Sequence, residues 1–207
     1  MILKLDETNL QEASHWLSAQ DKALGRVLDK YGYPPLWARE PGFSTLVHII
    51  LEQQVSLASA NAAFRRLQEQ LGGSVQTEDF LQLDDETLRT IGFSRQKIGY
   101  TRSLAESVLS GDFDLHALPN LPDDAVRDHM KRLKGIGDWT ADIYLSECLL
   151  RRDILPKGDI AMQEAYRVLN GLAKRPRHED FEAATQHWRP WRSVASRLLW
   201  HFYLNDK

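Results

Sequence analysis

The stretch LKGIGDWTADIYL, Leu133 to Leu145, sets Gly135 and Gly137 one residue apart just before a helix-forming run, and PKGDIAM, Pro156 to Met162, then places Asp159 directly after Gly158. Read for chemistry, the first stretch is a tight hairpin: one helix ends near Lys134, Gly135-Ile136-Gly137 turns the chain, and another helix begins near Asp138. Glycine reaches positive φ and admits a close backbone approach, while Ile136 can anchor the turn in the core. The free N–H groups at the start of the second helix make a ready anion site. The plainer alternative is that Gly135 only terminates a helix and Asp138 caps the next. Asp159 has two readings as well: it caps the amphipathic helix that follows, or its carboxylate acts on something. A single residue can do both.

Two further segments hold side chains of interest. LVHIILEQQVSLASA, Leu46 to Ala60, carries Gln53 and Gln54; HWRPWRSVASRLLWHF, His187 to Phe202, carries Trp188, Trp191 and Trp200. Taken alone, the glutamines read as the wet face of a helix and the tryptophans as core.

Helices must position all of these groups. Apolar residues recur at helical steps throughout, most strongly from Phe43 to Leu71, while alternating β-branched and aromatic runs between turn signals are nearly absent. Helices are predicted over Asp84 to Ile91, Arg95 to Leu109, Asp123 to Leu133, Trp139 to Leu150 and Ile160 to Leu172, with two more within Glu179 to Tyr203. The breaks KYGYPP, LGGS, LSGDFD, ALPNLPDD and RDILPKG are short and carry Gly, Pro or Asp. The expected fold is all-α, a compact multi-helical body of two lobes without a free linker.

Composition narrows the classes further. At 207 residues, 43% hydrophobic and 27% charged, the chain can bury a real core. Its one cysteine, Cys148, leaves no internal disulfide framework and no Cys-rich zinc or iron–sulfur site, which suits a reducing compartment. No run is long enough to span a bilayer, and the start MILKLDETNL has no cleavage pattern, so a cytosolic protein with no membrane partner is expected. The net charge of −3 does not advertise a nucleic-acid binder. Basic residues nevertheless gather locally in FRRL, SRQK, KRLK, LLRR and AKRPR, enough for one positive face.

Gly-Ile-Gly-Asp-Trp-Thr-Ala closely resembles the hairpin of the helix-hairpin-helix DNA glycosylase superfamily, and further motifs arrive in that family's order. Gln53 falls on the glutamine of the family's ILGQxVS segment. IGFSRQK matches its G-x-S-x-x-K helix entry, making Arg95 and Lys97 structural residues or phosphate neighbours. The W-x-PWRS helix aligns through Trp191, Arg192 and Ser193. The similarity runs from about Phe43 to Tyr203. It implies a single glycosylase unit over 1–207, with amino-terminal helices over about 1–42, a family-like region over about 43–203 and the hairpin at 133–140.

The resemblance implies an active site in the cleft between lobes, with Asp159 as catalytic carboxylate and Trp139, Trp200 and Gln53 in the substrate pocket. It makes Gln54 the DNA wedge and assigns phosphate binding to Lys134, Gly135, Ile136, Gly137 and Thr140. The family often holds Na⁺ or K⁺ at hairpin carbonyls, here Leu133 and Ile136; no other cofactor is implied. The bifunctional members carry a nucleophilic lysine where this chain has Trp139, so attack by water is favoured over lyase chemistry. Ile143 replaces a pocket tyrosine of one branch. The expected protein is a monomeric bacterial glycosylase that flips out and removes alkylated purines such as 3-methyladenine from damaged double-stranded DNA. Rival readings are a glycosylase for oxidised or mismatched bases and a non-catalytic binder of DNA damage.

Overall fold

A computed structural model of the chain describes residues 4–206. Among these residues the secondary structure is helical, apart from one β-bridge between Lys4 and Arg151. Among the described residues no helix is long and apolar enough to cross a membrane. The chain divides into two compact units, one running to Ala38 and resuming at Leu145, the other spanning Arg39–Tyr144.

The split unit begins with α1 (Glu7–Gln20), opened by a reciprocal capping box between Asp6 and Asn9, and α2 (Lys22–Tyr31), capped by Asp21. In the Arg39–Tyr144 unit, the periodic block over Phe43 to Leu71 is not one helix. It forms α3 (Phe43–Glu52) and α4 (Leu57–Gln70), with Ser56 capping the second. The break lies at the two glutamines, where Gln54 takes φ +57. Apolar spacing continues across the turn because Leu46, Ile49 and Ile50 before it, and Ala60, Ala63 and Leu67 after it, all enter one core. α5 (Thr77–Gln82), α6 (Asp85–Ile91), α7 (Arg95–Ser110), α8 (Asp123–Met130) and α9 (Asp138–Ile143) complete this unit. Phe80 is fully buried at its centre, with ring centroids 5.9 Å from both Phe43 and Phe93.

The backbone beyond α9 widens into a π-helical turn at Tyr144–Cys148. The split unit then adds α10 (Ile160–Leu169), α11 (His178–Ala184) and α12 (Arg192–Asn205). α12 is the spine of this unit: it packs against α10, α2 and α1, and Val194, Ala195, Leu198 and Leu199 along it are fully buried. Trp188, read as core from the sequence, is fully buried, and its indole N–H donates to Asp21 at 2.8 Å. Trp191 is half-buried beneath the guanidinium of Arg152.

Candidate active site

In the split unit, the segment leading to Asp159 is pinned by the start of α12. Arg192 grips the Asp153 carboxylate through Nε at 2.7 Å and the Asp153 carbonyl through Nη2 at 2.7 Å. The Ser193 hydroxyl donates to the Arg151 carbonyl at 2.6 Å and accepts from the Ile154 N–H at 2.9 Å. The Arg-Ser pair of the WRS motif thus acts as a double clamp on residues 151–154. Ile154 and Leu155 are buried, after which Gly158 turns the chain at φ +76. The Gly158 N–H approaches His178 Nδ1 at 3.4 Å.

Asp159 then caps α10, accepting the Met162 N–H on Oδ1 at 2.9 Å. The same oxygen accepts the indole N–H of Trp200 at 3.4 Å. Asp159 is 8% exposed and Trp200 is half-buried, so the carboxylate is sheltered and has an aromatic ring beside it. The capping interpretation of Asp159 is therefore correct. It occupies Oδ1 and is compatible with chemistry at the same group. Trp37, which lies in none of the sequence motifs, has its ring 6.3 Å from that of Trp200 at an angle of 71°.

In the other unit, the hairpin lies between α8 and α9. α8 ends at Met130, earlier than the predicted Leu133, and a turn over 131–135 follows. The two glycines do different work. Gly135 sits at φ +85, and a Cβ there would come within 2.1 Å of the Tyr100 ring. Gly137 has an ordinary φ of −103, and a Cβ there would meet nothing within 4 Å. Between them Ile136 is buried and donates its N–H to the Leu133 carbonyl at 3.2 Å.

α9 starts with Gly137 at the cap position and no side chain capping it. Asp138, the alternative cap, instead pairs with Lys131 at 2.9 Å. The exposed turn thus carries Lys134 and Gly137 beside a helix N-terminus, and such a terminus favours anions.

Gln53, expected at the substrate, spends its amide on the hairpin. Nε2 donates to the Gly135 carbonyl at 3.0 Å and to Thr140 Oγ1 at 2.9 Å. A carbonyl only accepts, so the amide must present its NH₂ there. Thr140, expected on phosphate, is buried with its hydroxyl turned to Gln53. Lys97 is likewise structural: Nζ donates to the Leu51 carbonyl at 2.7 Å near the end of α3, and burial pulls its pKa down. Arg95 is exposed.

Gln54 is exposed, in the left-handed region at φ +57, followed by the half-exposed apolar Val55 and Leu57. A non-glycine residue in that region costs of order 1–3 kcal/mol and is held there by its surroundings. Here Gln53 and Lys97 anchor the chain on one side and the Ser56 cap on the other. Trp139 is half-buried in the first turn of α9, and Ile143 is buried.

Comparison with known proteins places the chain among relatives. Residues 47–190 match the family described as HhH-GPD superfamily base excision DNA repair protein. A DNA-3-methyladenine glycosylase 1 from Schizosaccharomyces pombe is 30% identical over 200 residues, covering 93% of this chain and 87% of the relative. The solved structure of the S. pombe 3-methyladenine DNA glycosylase Mag1 in complex with abasic DNA superposes with a TM-score of 0.88 at 28% identity, over 95% of this chain and 98% of that one. A DNA-3-methyladenine glycosidase from Bacillus halodurans superposes with a TM-score of 0.74 at 29% identity, over 99% and 93% of the two chains. With the hairpin, the capped aspartate and the clamping α12 in the expected order, the chain belongs to the HhH-GPD superfamily of base excision DNA repair proteins.

Proposed function

We propose that this chain is a monofunctional DNA glycosylase that flips an alkylated purine out of damaged double-stranded DNA and hydrolyses its N-glycosidic bond. The observation that carries this reading is the sheltered Asp159 carboxylate with the Trp200 indole N–H on its Oδ1. An N3- or N7-alkylated purine is cationic. When its bond to C1′ breaks, the bonding pair leaves with the base, which departs neutral, and positive charge passes to the sugar. A carboxylate about 4 Å away at an effective dielectric of about 20 stabilises that charge by roughly 4 kcal/mol. This is worth about a thousandfold in rate. Water then bonds to C1′ and gives up its proton, for which Asp159 is the acceptor, leaving an abasic site.

The Trp200 face stacks on the extruded base, and cation–π attraction of about 0.5–2 kcal/mol favours a cationic one. Trp139 stands where the bifunctional members carry their lysine, so no amine is available there to displace the base, and water is the attacking group. The relatives named as 3-methyladenine glycosylases support alkylated purines as the substrate class. The hairpin grips a phosphate through Gly137 and the first turn of α9, with Lys134 adding charge and Gln53 and Thr140 bracing the loop from within. Leu133 and Ile136 supply neutral carbonyl oxygens, donors suited to a hard monovalent cation; when bound, Na⁺ or K⁺ would add positive charge next to the phosphate.

Incubating the protein with methylated duplex DNA and identifying the released bases tests the assignment. Free 3-methyladenine or 7-methylguanine, with abasic sites left uncut, is the expected result. Release of only oxidised or mismatched bases, or strand cleavage through a borohydride-trappable amine adduct, would overturn it.

A separate expectation concerns Gln54, which we assign to the space vacated by the flipped nucleotide. Gln54→Ala should lower the single-turnover rate on a paired lesion by about tenfold while leaving single-stranded substrate nearly unaffected. Equal rates for variant and wild type on duplex DNA would remove Gln54 from that role. Alanine is as strained as glutamine at φ +57, so stability should hold.

A further inference from the structure

Trp37 lies in the segment preceding α3, just beyond the KYGYPP break. Its backbone is at φ +47, a region that bulky residues rarely adopt. Such a conformation persists only where its neighbours impose it. The neighbour is Arg197. This residue is fully buried in α12 and donates through Nε to the Leu36 carbonyl at 2.8 Å, fixing the peptide that leads into Trp37. Its other donors reach the Ser193 carbonyl at 2.9 Å, the Ser146 hydroxyl at 3.0 Å and the Ser146 carbonyl at 2.8 Å. Burial pulls the Arg197 pKa down to about 10, opposed by attraction to Glu147, so the guanidinium stays charged at neutral pH.

Arg197 and Trp200 are one turn apart on the same face of α12. The strap that Arg197 holds carries the Trp37 ring to 6.3 Å from Trp200 and 6.4 Å from His201, in edge-to-face arrangements with both. Trp200 in turn donates to Asp159 at 3.4 Å. The chain of contacts therefore runs from a buried cation, through a strained aromatic residue, to the indole beside the carboxylate. A side chain serving only the core would not need the positive φ that Trp37 takes.

We propose that Trp37 is a positioning residue for base excision: held in place by Arg197, its indole fixes the plane of the Trp200 ring and with it the hydrogen bond that Trp200 donates to Asp159. This rests on the reading of Asp159 and Trp200 as the reacting site. Trp37 itself need not touch the substrate.

The test uses the full chain with Trp37→Leu and Trp37→Phe. The readouts are single-turnover release of 7-methylguanine from methylated duplex, affinity for DNA carrying an abasic analogue, and the Trp200 indole ¹H–¹⁵N resonance, assigned by its loss in Trp200→Phe. Trp37→Leu should slow release at least tenfold, shift the Trp200 resonance and leave abasic-analogue affinity within threefold. Trp37→Phe, which keeps a smaller ring, should lose three- to fivefold with a smaller shift.

The proposal needs rate and resonance to move together; a wild-type rate with a shifted resonance, or a slowed rate with a wild-type resonance, overturns it. If the leucine variant does not fold, the phenylalanine variant decides by the same pair of readings. Absence of base release by the wild-type protein would overturn the glycosylase reading and, with it, a role in excision. The indole resonance would still show whether Trp37 sets Trp200.

Discussion

Asp159→Asn should reduce excision of 3-methyladenine by about a thousandfold or more while leaving affinity for an abasic-site analogue within threefold. The rate loss follows from the charge. Asparagine is neutral, so the roughly 4 kcal/mol of stabilisation of the developing sugar cation disappears, and the acceptor for the water proton goes with it. The fold should be unaffected because asparagine caps a helix about as well as aspartate, and its carbonyl oxygen can take over both the Met162 N–H and the Trp200 indole N–H. Thermal denaturation should therefore coincide with wild type. Asp159→Ala provides the contrast: the cap is lost as well, at about 1 kcal/mol, which for a chain of this size lowers Tm by roughly 2–4 °C. Release of 3-methyladenine by the asparagine variant at wild-type rate would sink the catalytic assignment, and equal melting of the alanine variant would sink the capping energetics. Measuring single-turnover release and melting on the same two variants separates the proposed catalytic role of this side chain from its cap.

The parts of this site that were legible in the sequence are those governed by local rules. Asp159 as a cap, the glycine hairpin and the start of α10 each depend on residues within one turn of one another, and the structure shows all three. Long-range polar contacts left no such trace. The bond from Gln53 to the hairpin spans 82 positions in the chain, and nothing in the periodicity around Gln53 announces it. The break between α3 and α4 was hidden for the opposite reason: the apolar pattern is set by the core, which needs residues from both sides of the turn, while the positive φ at Gln54 falls on a residue type that does not signal it. Arg197 carries no mark of burial in the sequence, yet four hydrogen bonds to main-chain and hydroxyl oxygens make its full burial tolerable. The WRS motif was aligned by resemblance alone. Its physical purpose, clamping residues 151–154 ahead of Asp159, came from the contacts of Arg192 and Ser193.

Alanine at the two hairpin glycines should give opposite outcomes. At Gly135 the new methyl would enter the left-handed region and come within 2.1 Å of the Tyr100 ring. The backbone penalty of about 1–2 kcal/mol and overpacking of about 1–3 kcal/mol combine to roughly 2–5 kcal/mol, a large share of a typical domain's 5–15 kcal/mol. At 2–4 °C per kcal/mol, Tm should fall by about 4–20 °C. Tyr100→Ala in the same chain should recover the part of that loss due to the ring but not the part due to φ. At Gly137 the backbone is ordinary and the space is open, so alanine should leave Tm unchanged or raise it slightly through a less flexible unfolded chain. If a phosphate packs against that turn, however, the methyl stands where the phosphate must come, and affinity for abasic-analogue DNA should fall at least tenfold. Calorimetry and DNA titration on the same variants check both arms. Wild-type DNA affinity in a stable Gly137→Ala protein would mean the grip lies elsewhere, and wild-type melting of Gly135→Ala would mean that Tyr100 moves aside at no cost. The expected asymmetry separates the two glycines: Gly135 is required by packing against Tyr100, whereas Gly137 faces open space, so any cost of a methyl there must be read in DNA affinity.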